Sequence, residues 1–230
     1  MANTNYILPV LGNEFVTVVV GTGDERKSFA LHKSVVCKRS EFFHASLCGD
    51  WKESHADKIE LPEDDPDIFQ LYNQSLYVGN VHQAEPDESS QSKYHYLGQL
   101  YVFADKMINV QAKNHVTEAI FHRLKASVIP INHDVCDELA DMITMIWNVT
   151  SQDAPVRQLL IHSIADFRAL YSDSPPPQPL GQIDRLSRTP SEFLSLVVAT
   201  LIRKRSYRAN YGTMIHPGQL QLIEYLEKIP

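Results

Sequence analysis

The sequence predicts an α+β domain, a small sheet with a hairpin packed on a helical cluster, followed by an all-α extension. Three observations carry this. The run FVTVVV at Phe15–Val20 is short and β-branched, with a turn and then SFALH behind it. KIEL at Lys58–Leu61 alternates like a half-buried strand, and over most of the remaining chain apolar residues recur at three and four. The 230 residues, 43% of them apolar, suffice for a real core and for one domain with an extension or two small ones.

Taken in order, Gly21–Lys27 (GTGDERK) supplies the turn of the hairpin. Beyond His32 the spacing becomes helical through Val35, Val36, Phe42, Phe43 and Leu47, and Ser40 stands where it can cap the second of two short helices. KIEL ends at Pro62, and Glu63, Asp64, Asp65 and Pro66 open the next helix. Carboxylates there oppose the positive end of the helix dipole, and a proline sacrifices no hydrogen bond in the first turn. The buried stripe of that helix is expected at Ile68, Phe69, Tyr72 and Leu76. GNVHQAEPDESSQSK, residues 79–93, is acidic and aperiodic and reads as a mobile surface loop inside the domain. Leu97, Leu100, Tyr101, Ala104 and Ile108 then form one helical stripe, and Asn109 caps a further helix carrying Val116, Ile120 and Leu124. The domain is expected over 14–125, behind a tail of residues 1–13.

Residues 126–173 read as a helical extension. Val135, Leu139, Met142, Ile143 and Ile146 give one amphipathic helix. Val156, Leu159, Leu160, Ile164, Phe167 and Leu170 give another, opening near Asp153 and Pro155 and pairing antiparallel across a short loop. The prolines of DSPPPQPL, starting at Asp173, cannot continue a helix, so 174–187 is a stiff linker. In the C-terminal helical segment, 188–230, Thr189, Pro190 and Glu192 make a capping-box arrangement ahead of Phe193, Val197 and Leu201. Leu220, Ile223 and Leu226 predict a final short helix.

Composition narrows the function. With 21 basic against 28 acidic residues the net charge is -7, and no basic face is concentrated enough to hold phosphates, so nucleic acid is not expected as a direct partner. The N-terminus lacks the basic n-region of a signal peptide, and the longest apolar run, Phe193–Ile202, is too short to span a bilayer, so no membrane association is expected. Cys37, Cys48 and Cys136 form no CxxC pair, which points to a reducing intracellular compartment, cytoplasmic or nuclear, and to neither a disulfide framework nor a cysteine-based zinc site. His133 with Cys136, and His115 with His122, lack the further ligands a metal needs, and no phosphate-binding glycine motif occurs. No cofactor or metal is expected. The basic cluster RKRSYR, Arg203–Arg208, reads as a helix C-terminus or as a nuclear localisation patch. The one catalytic arrangement to weigh is a Cys/His hydrolase built on His32 and Cys37. It would need the two side chains face to face with a third group orienting the imidazole, and the alternative is a hydrogen-bonded histidine beside a small buried thiol.

Together these segments resemble the BTB/POZ family. The resemblance rests on VTVVVG at Val16–Gly21, F-x-L-H-K at Phe29–Lys33 and VVCKRSEFF at Val35–Phe43. It continues through WKES at Trp51–Ser54, IELPEDDPDIF at Ile59–Phe69 and LYVFADKM at Leu100–Met107, and the acidic insert is similar to BTB proteins of filamentous fungi. It implies that His32, Val35, Ser40, Phe42, Phe43 and Asp105 are fold determinants, with Phe42 buried. It also implies a non-enzymatic interaction module that self-associates, recruits the third cullin as a ubiquitin-ligase adaptor, or binds corepressors.

Against the family pattern, an aspartate common before V-x-V is replaced by Phe15 while Lys33 keeps its basic partner, and LYNQSLYVGN at Leu71–Asn80 stands for the usual tryptophan-bearing segment. The amphipathic helix of strand-exchanged dimers is replaced by Ile7, Leu8, Val10 and Leu11 around a proline, so a monomer or weak self-association is expected. Cullin-binding members resemble this chain in a hydrophobic-x-Glu motif, here Trp51-Lys52-Glu53, and in a helical pair behind the domain. Trp51 and Glu53 are therefore the candidate cullin contacts of an adaptor whose client is unspecified. The alternative is a ligase-independent oligomerising scaffold or a transcription-associated BTB protein.

Overall fold

A computed structural model of the chain describes residues 11–48, 57–81, 93–126, 133–167, 186–211 and 222–229. The first strand, β1 (Phe15–Val20), lies at the centre of a three-stranded sheet of order β2-β1-β3. It runs antiparallel to β2 (Lys27–His32), with Phe15 opposite His32, and parallel to β3 (Lys58–Leu61), with Val18 opposite Ile59. Gly21 makes the turn out of β1 at φ 80, a left-handed conformation that glycine adopts without a Cβ penalty, and a Cβ there would meet the Pro66 ring at 3.0 Å.

Helices α1 (Lys33–Arg39) and α2 (Glu41–Cys48) follow the β1–β2 hairpin directly. The acidic opening of α3 (Pro66–Val78) works as its sequence predicts. The Asp65 carboxylate accepts from the amides of Asp67 and Ile68, Pro66 holds the first turn, and Gly79 closes the helix at φ 76. All four residues of its expected stripe, Ile68, Phe69, Tyr72 and Leu76, are buried. Helices α4 (Lys93–Lys106) and α5 (Val110–Ala126) come next, with Asn109 capping α5 through Oδ1, which accepts the Ala112 amide at 2.9 Å.

The chain divides into two compact units. The first, residues 1–90, 99–119 and 228–230, is cored by Val16, Val18, Leu31, Val35, Val36 and Phe43 together with a ring cluster in which Phe69 meets Phe29 at 4.8 Å and Phe103 at 5.8 Å. The second, residues 91–98 and 120–227, contains α6 (His133–Val149), α7 (Pro155–Phe167) and α8 (Ser191–Tyr211). Gly98 is the close-approach point inside it: a Cβ there would stand 3.0 Å from the Met145 sulfur and 3.1 Å from the Met142 Cα. Arg157, buried, donates to the carbonyls of Trp147 and Thr150 at 2.6 Å each and stacks over the Trp147 ring, tying the start of α7 to the end of α6.

Four expectations change. Phe42 is only half-buried, whereas Phe43 is fully buried, because neighbours in a helix point about 100° apart and the core takes one of them. Ile108 does not extend the α4 stripe. The helix stops at Lys106, and Ile108 adopts φ 49 with its side chain 52% exposed, in the turn that lets Asn109 start α5. The capping box at Thr189 does not form. The Thr189 hydroxyl donates to the Leu186 carbonyl, and Glu192 turns away to accept the Trp147 indole N–H at 3.0 Å. The last helix is a single 3₁₀ turn, Leu222–Tyr225, whose buried residue is Tyr225 while Ile223 is exposed. Residues 82–92 of the expected acidic loop 79–93, residues 174–185 of the expected linker 174–187 and most of the N-terminal tail lie outside the described residues.

Candidate functional site

The hairpin end brings His32 into an aromatic corner. Its ring packs on Phe15 at 4.6 Å and edge-on to Tyr77 at 5.8 Å. The Tyr77 hydroxyl accepts the His32 backbone amide at 3.0 Å and meets Nδ1 at 3.1 Å, so in the tautomer protonated on Nε2 the same hydroxyl donates to Nδ1. His32 thus has a structural partner that its sequence neighbourhood did not announce. The Cys37 sulfur lies instead against the Phe43 carbonyl at 3.8 Å and the Cys48 sulfur at 3.7 Å. The structure therefore does not bring His32 and Cys37 together as a catalytic pair.

Lys33 finds its acid in the turn that leads into β3. Its ammonium pairs with Asp57 at 3.0 Å, and that hydrogen bond holds the lysine pKa above its ordinary value. Asp57 precedes β3 in a left-handed turn, φ 44, and its carbonyl accepts the Thr17 amide. Parallel pairing of β3 with β1 is what carries this carboxylate to the start of β1, where Phe15 is 51% exposed.

Of the other residues that the resemblance singles out, Val35, Ser40 and Phe43 lie in the interior, while Phe42 and Asp105 are partly exposed. Val35 and Phe43 are buried, and the buried Ser40 hydroxyl links the start of α2 to the chain after α4 by donating to the Met107 carbonyl and accepting from the Phe43 amide. Asp105 pairs with Lys113 at 3.1 Å across the α4–α5 turn, and its carbonyl accepts the Ile108 amide. Beneath them Tyr72, its phenol pushed up to about 12 by burial, accepts from Asn109 Nδ2 at 2.9 Å. His115 is driven the other way. Burial first, and the Arg39 guanidinium second, lower its pKa to about 4, and its Nδ1 is buried without a hydrogen-bond partner.

Trp51 and Glu53 lie outside the described residues, between the end of α2 at Cys48 and the turn at Asp57. So do the side chains of His133 and Cys136. Among the described residues no group of three or more His, Cys, Asp or Glu could hold a metal, and no helix is long and apolar enough to cross a membrane. What this unit presents is a small sheet with a helical cluster, with the charged and aromatic residues Lys33, Asp57 and Phe15 around the start of β1. Compared with known families, residues 11–116 match the BTB/POZ domain. No curated protein matches the chain.

Proposed function

We propose that this chain, which carries a BTB/POZ domain over residues 11–116, is a substrate adaptor for a cullin-based ubiquitin ligase and works inside the cell, in the cytoplasm or nucleus. The BTB/POZ domain is a protein-interaction domain, and the adaptor role is a specific use of it. The observation that carries this reading is Trp51-Lys52-Glu53, a large apolar ring and a carboxylate two positions apart, in the stretch joining α2 to β3. The ends of that stretch support it: Cys48 closes α2, and Asp57 is held by the Lys33 ion pair. A central aromatic with a charge at its rim is the composition of an interface hot spot, the ring supplying desolvated area and the charge orienting the partner.

Later in the chain, α6 and α7 support the reading, because cullin-binding BTB proteins carry a helical pair after the domain. The test is titration calorimetry of the full chain with a cullin N-terminal domain, with gel filtration of the mixture. Heat and a stoichiometric complex are expected. The absence of both heat and complex overturns the adaptor reading and leaves an oligomerising scaffold, for which light scattering would show mass rising with concentration.

A further inference from the structure

We propose that Cys37 and Cys48 form a reversible intramolecular disulfide, making the α1–α2 pair a thiol modification site that responds to hydroperoxides. The two sulfurs stand 3.7 Å apart, one on α1 and one on the last residue of α2. That is van der Waals contact, against about 2.05 Å in the bond. Cys48 is exposed and ends its helix, so it is the side chain freest to turn and close the remaining gap.

The two thiols have different surroundings and so different roles. Cys48 is exposed and meets an oxidant first, whereas Cys37 is half-buried beside the Phe43 carbonyl. Burial, then the neighbouring Cys48, pushes the Cys37 thiol up to about 12, which keeps it protonated and slow toward reagents from solution. Lys33 acts on it in the opposite sense, its positive charge favouring the thiolate when an electrophilic sulfur is presented alongside.

In the first step the Cys48 thiolate attacks the peroxide O–O bond. An S–O bond forms, the O–O bond breaks, and the alcohol or water leaves with a proton, giving a sulfenic acid. In the second step the Cys37 sulfur attacks the Cys48 sulfur. The S–S bond forms, the S–O bond breaks, and hydroxide leaves as water with the Cys37 proton. Two thiols are oxidised and one hydroperoxide is reduced. A dithiol returns the pair to the reduced state by exchange.

The test treats the reduced full chain with equimolar hydrogen peroxide, alkylates it, and maps the peptides without reduction. The expected product is a Cys37–Cys48 linked peptide pair lighter by two hydrogens, with Cys136 still alkylated, and it disappears on adding dithiothreitol. Cys37→Ser should leave Cys48 as a sulfenic acid trapped by dimedone, and Cys48→Ser should make oxidation of Cys37 roughly tenfold slower or more. Should Cys37→Ser disturb folding by circular dichroism, Cys37→Ala serves in its place. A bond to Cys136, bonds between chains, or Cys48 carried on to the sulfinic acid while Cys37 stays alkylatable would each overturn the proposal.

Discussion

The Ser40 hydroxyl donates to the Met107 carbonyl at 2.6 Å across sixty-seven positions of chain while accepting the Phe43 amide at 3.3 Å. One buried side chain therefore caps α2 and satisfies the backbone where α4 has just ended, a carbonyl that water does not reach. Asn109 does the matching work two residues later, capping α5 with its oxygen and reaching Tyr72 with its nitrogen. Ser40→Ala leaves a buried donor and a buried acceptor unpaired, so a loss of about 1 to 3 kcal/mol is expected. Urea unfolding should show a lower midpoint at an unchanged slope. A midpoint equal to wild type would mean that the hydroxyl is not bridging.

The two adjacent phenylalanines should separate in the same assay. Phe43 is fully buried, and its truncation to alanine should cost about 3 to 5 kcal/mol through lost transfer energy and a residual cavity. Phe42 is half-buried and touches Phe43 edge-on at 5.4 Å, so Phe42→Ala should cost clearly less, by about 1 kcal/mol or more. Equal losses would place both rings in the core and contradict the helix phase.

Acid should weaken the fold through His115. Its folded pKa, about 4, lies below the unfolded 6.5, so as pH falls between these values the unfolded chain takes up a proton that the folded chain refuses. The contribution is complete above 6.5 and is lost progressively down to about 4, up to about 3 kcal/mol in all by linkage. Carboxylates also titrate near the bottom of this range, so the measurement is a difference. His115→Gln should flatten the stability curve relative to wild type over this window. Identical slopes would mean that the ring is solvated enough to titrate normally.

What the sequence made legible is what lies within a turn or two of chain. Asp65 and Pro66 announce α3 because a cap and its amides are neighbours, and the α3 stripe follows from a period of 3.6. Partners far along the chain were not legible. Glu192 carries a local capping-box signal, yet Trp147, forty-five positions away, takes its carboxylate, because a buried indole N–H needs an acceptor more than an exposed helix end does. Ile108 shows the same limit. Its spacing fits the α4 stripe, but spacing alone does not reveal that the helix must break to let Asn109 begin the next one. At the candidate site, Lys33 was legible as a cation, while its acid, Asp57, arrives only through the parallel pairing of β3 with β1.

The adaptor reading makes its sharpest demand on two residues in one short stretch. If Trp51 inserts its ring into an apolar pocket of a cullin, its area is desolvated at the centre of the contact, and such a ring carries about 2 kcal/mol or more of binding energy. Trp51→Ala should then weaken the complex by roughly thirtyfold or more. Glu53, as a rim charge, works mainly on encounter and orientation, so Glu53→Ala should weaken binding less and mostly through a slower association rate that depends on salt. Calorimetry gives the affinities, stopped-flow mixing at two ionic strengths gives the rates, and circular dichroism confirms that each variant is folded. Equal small effects from both substitutions, beside tight binding by the wild type, would move the cullin contact away from this stretch. A loss of binding without a loss of stability is the signature that separates a contact residue from a structural one.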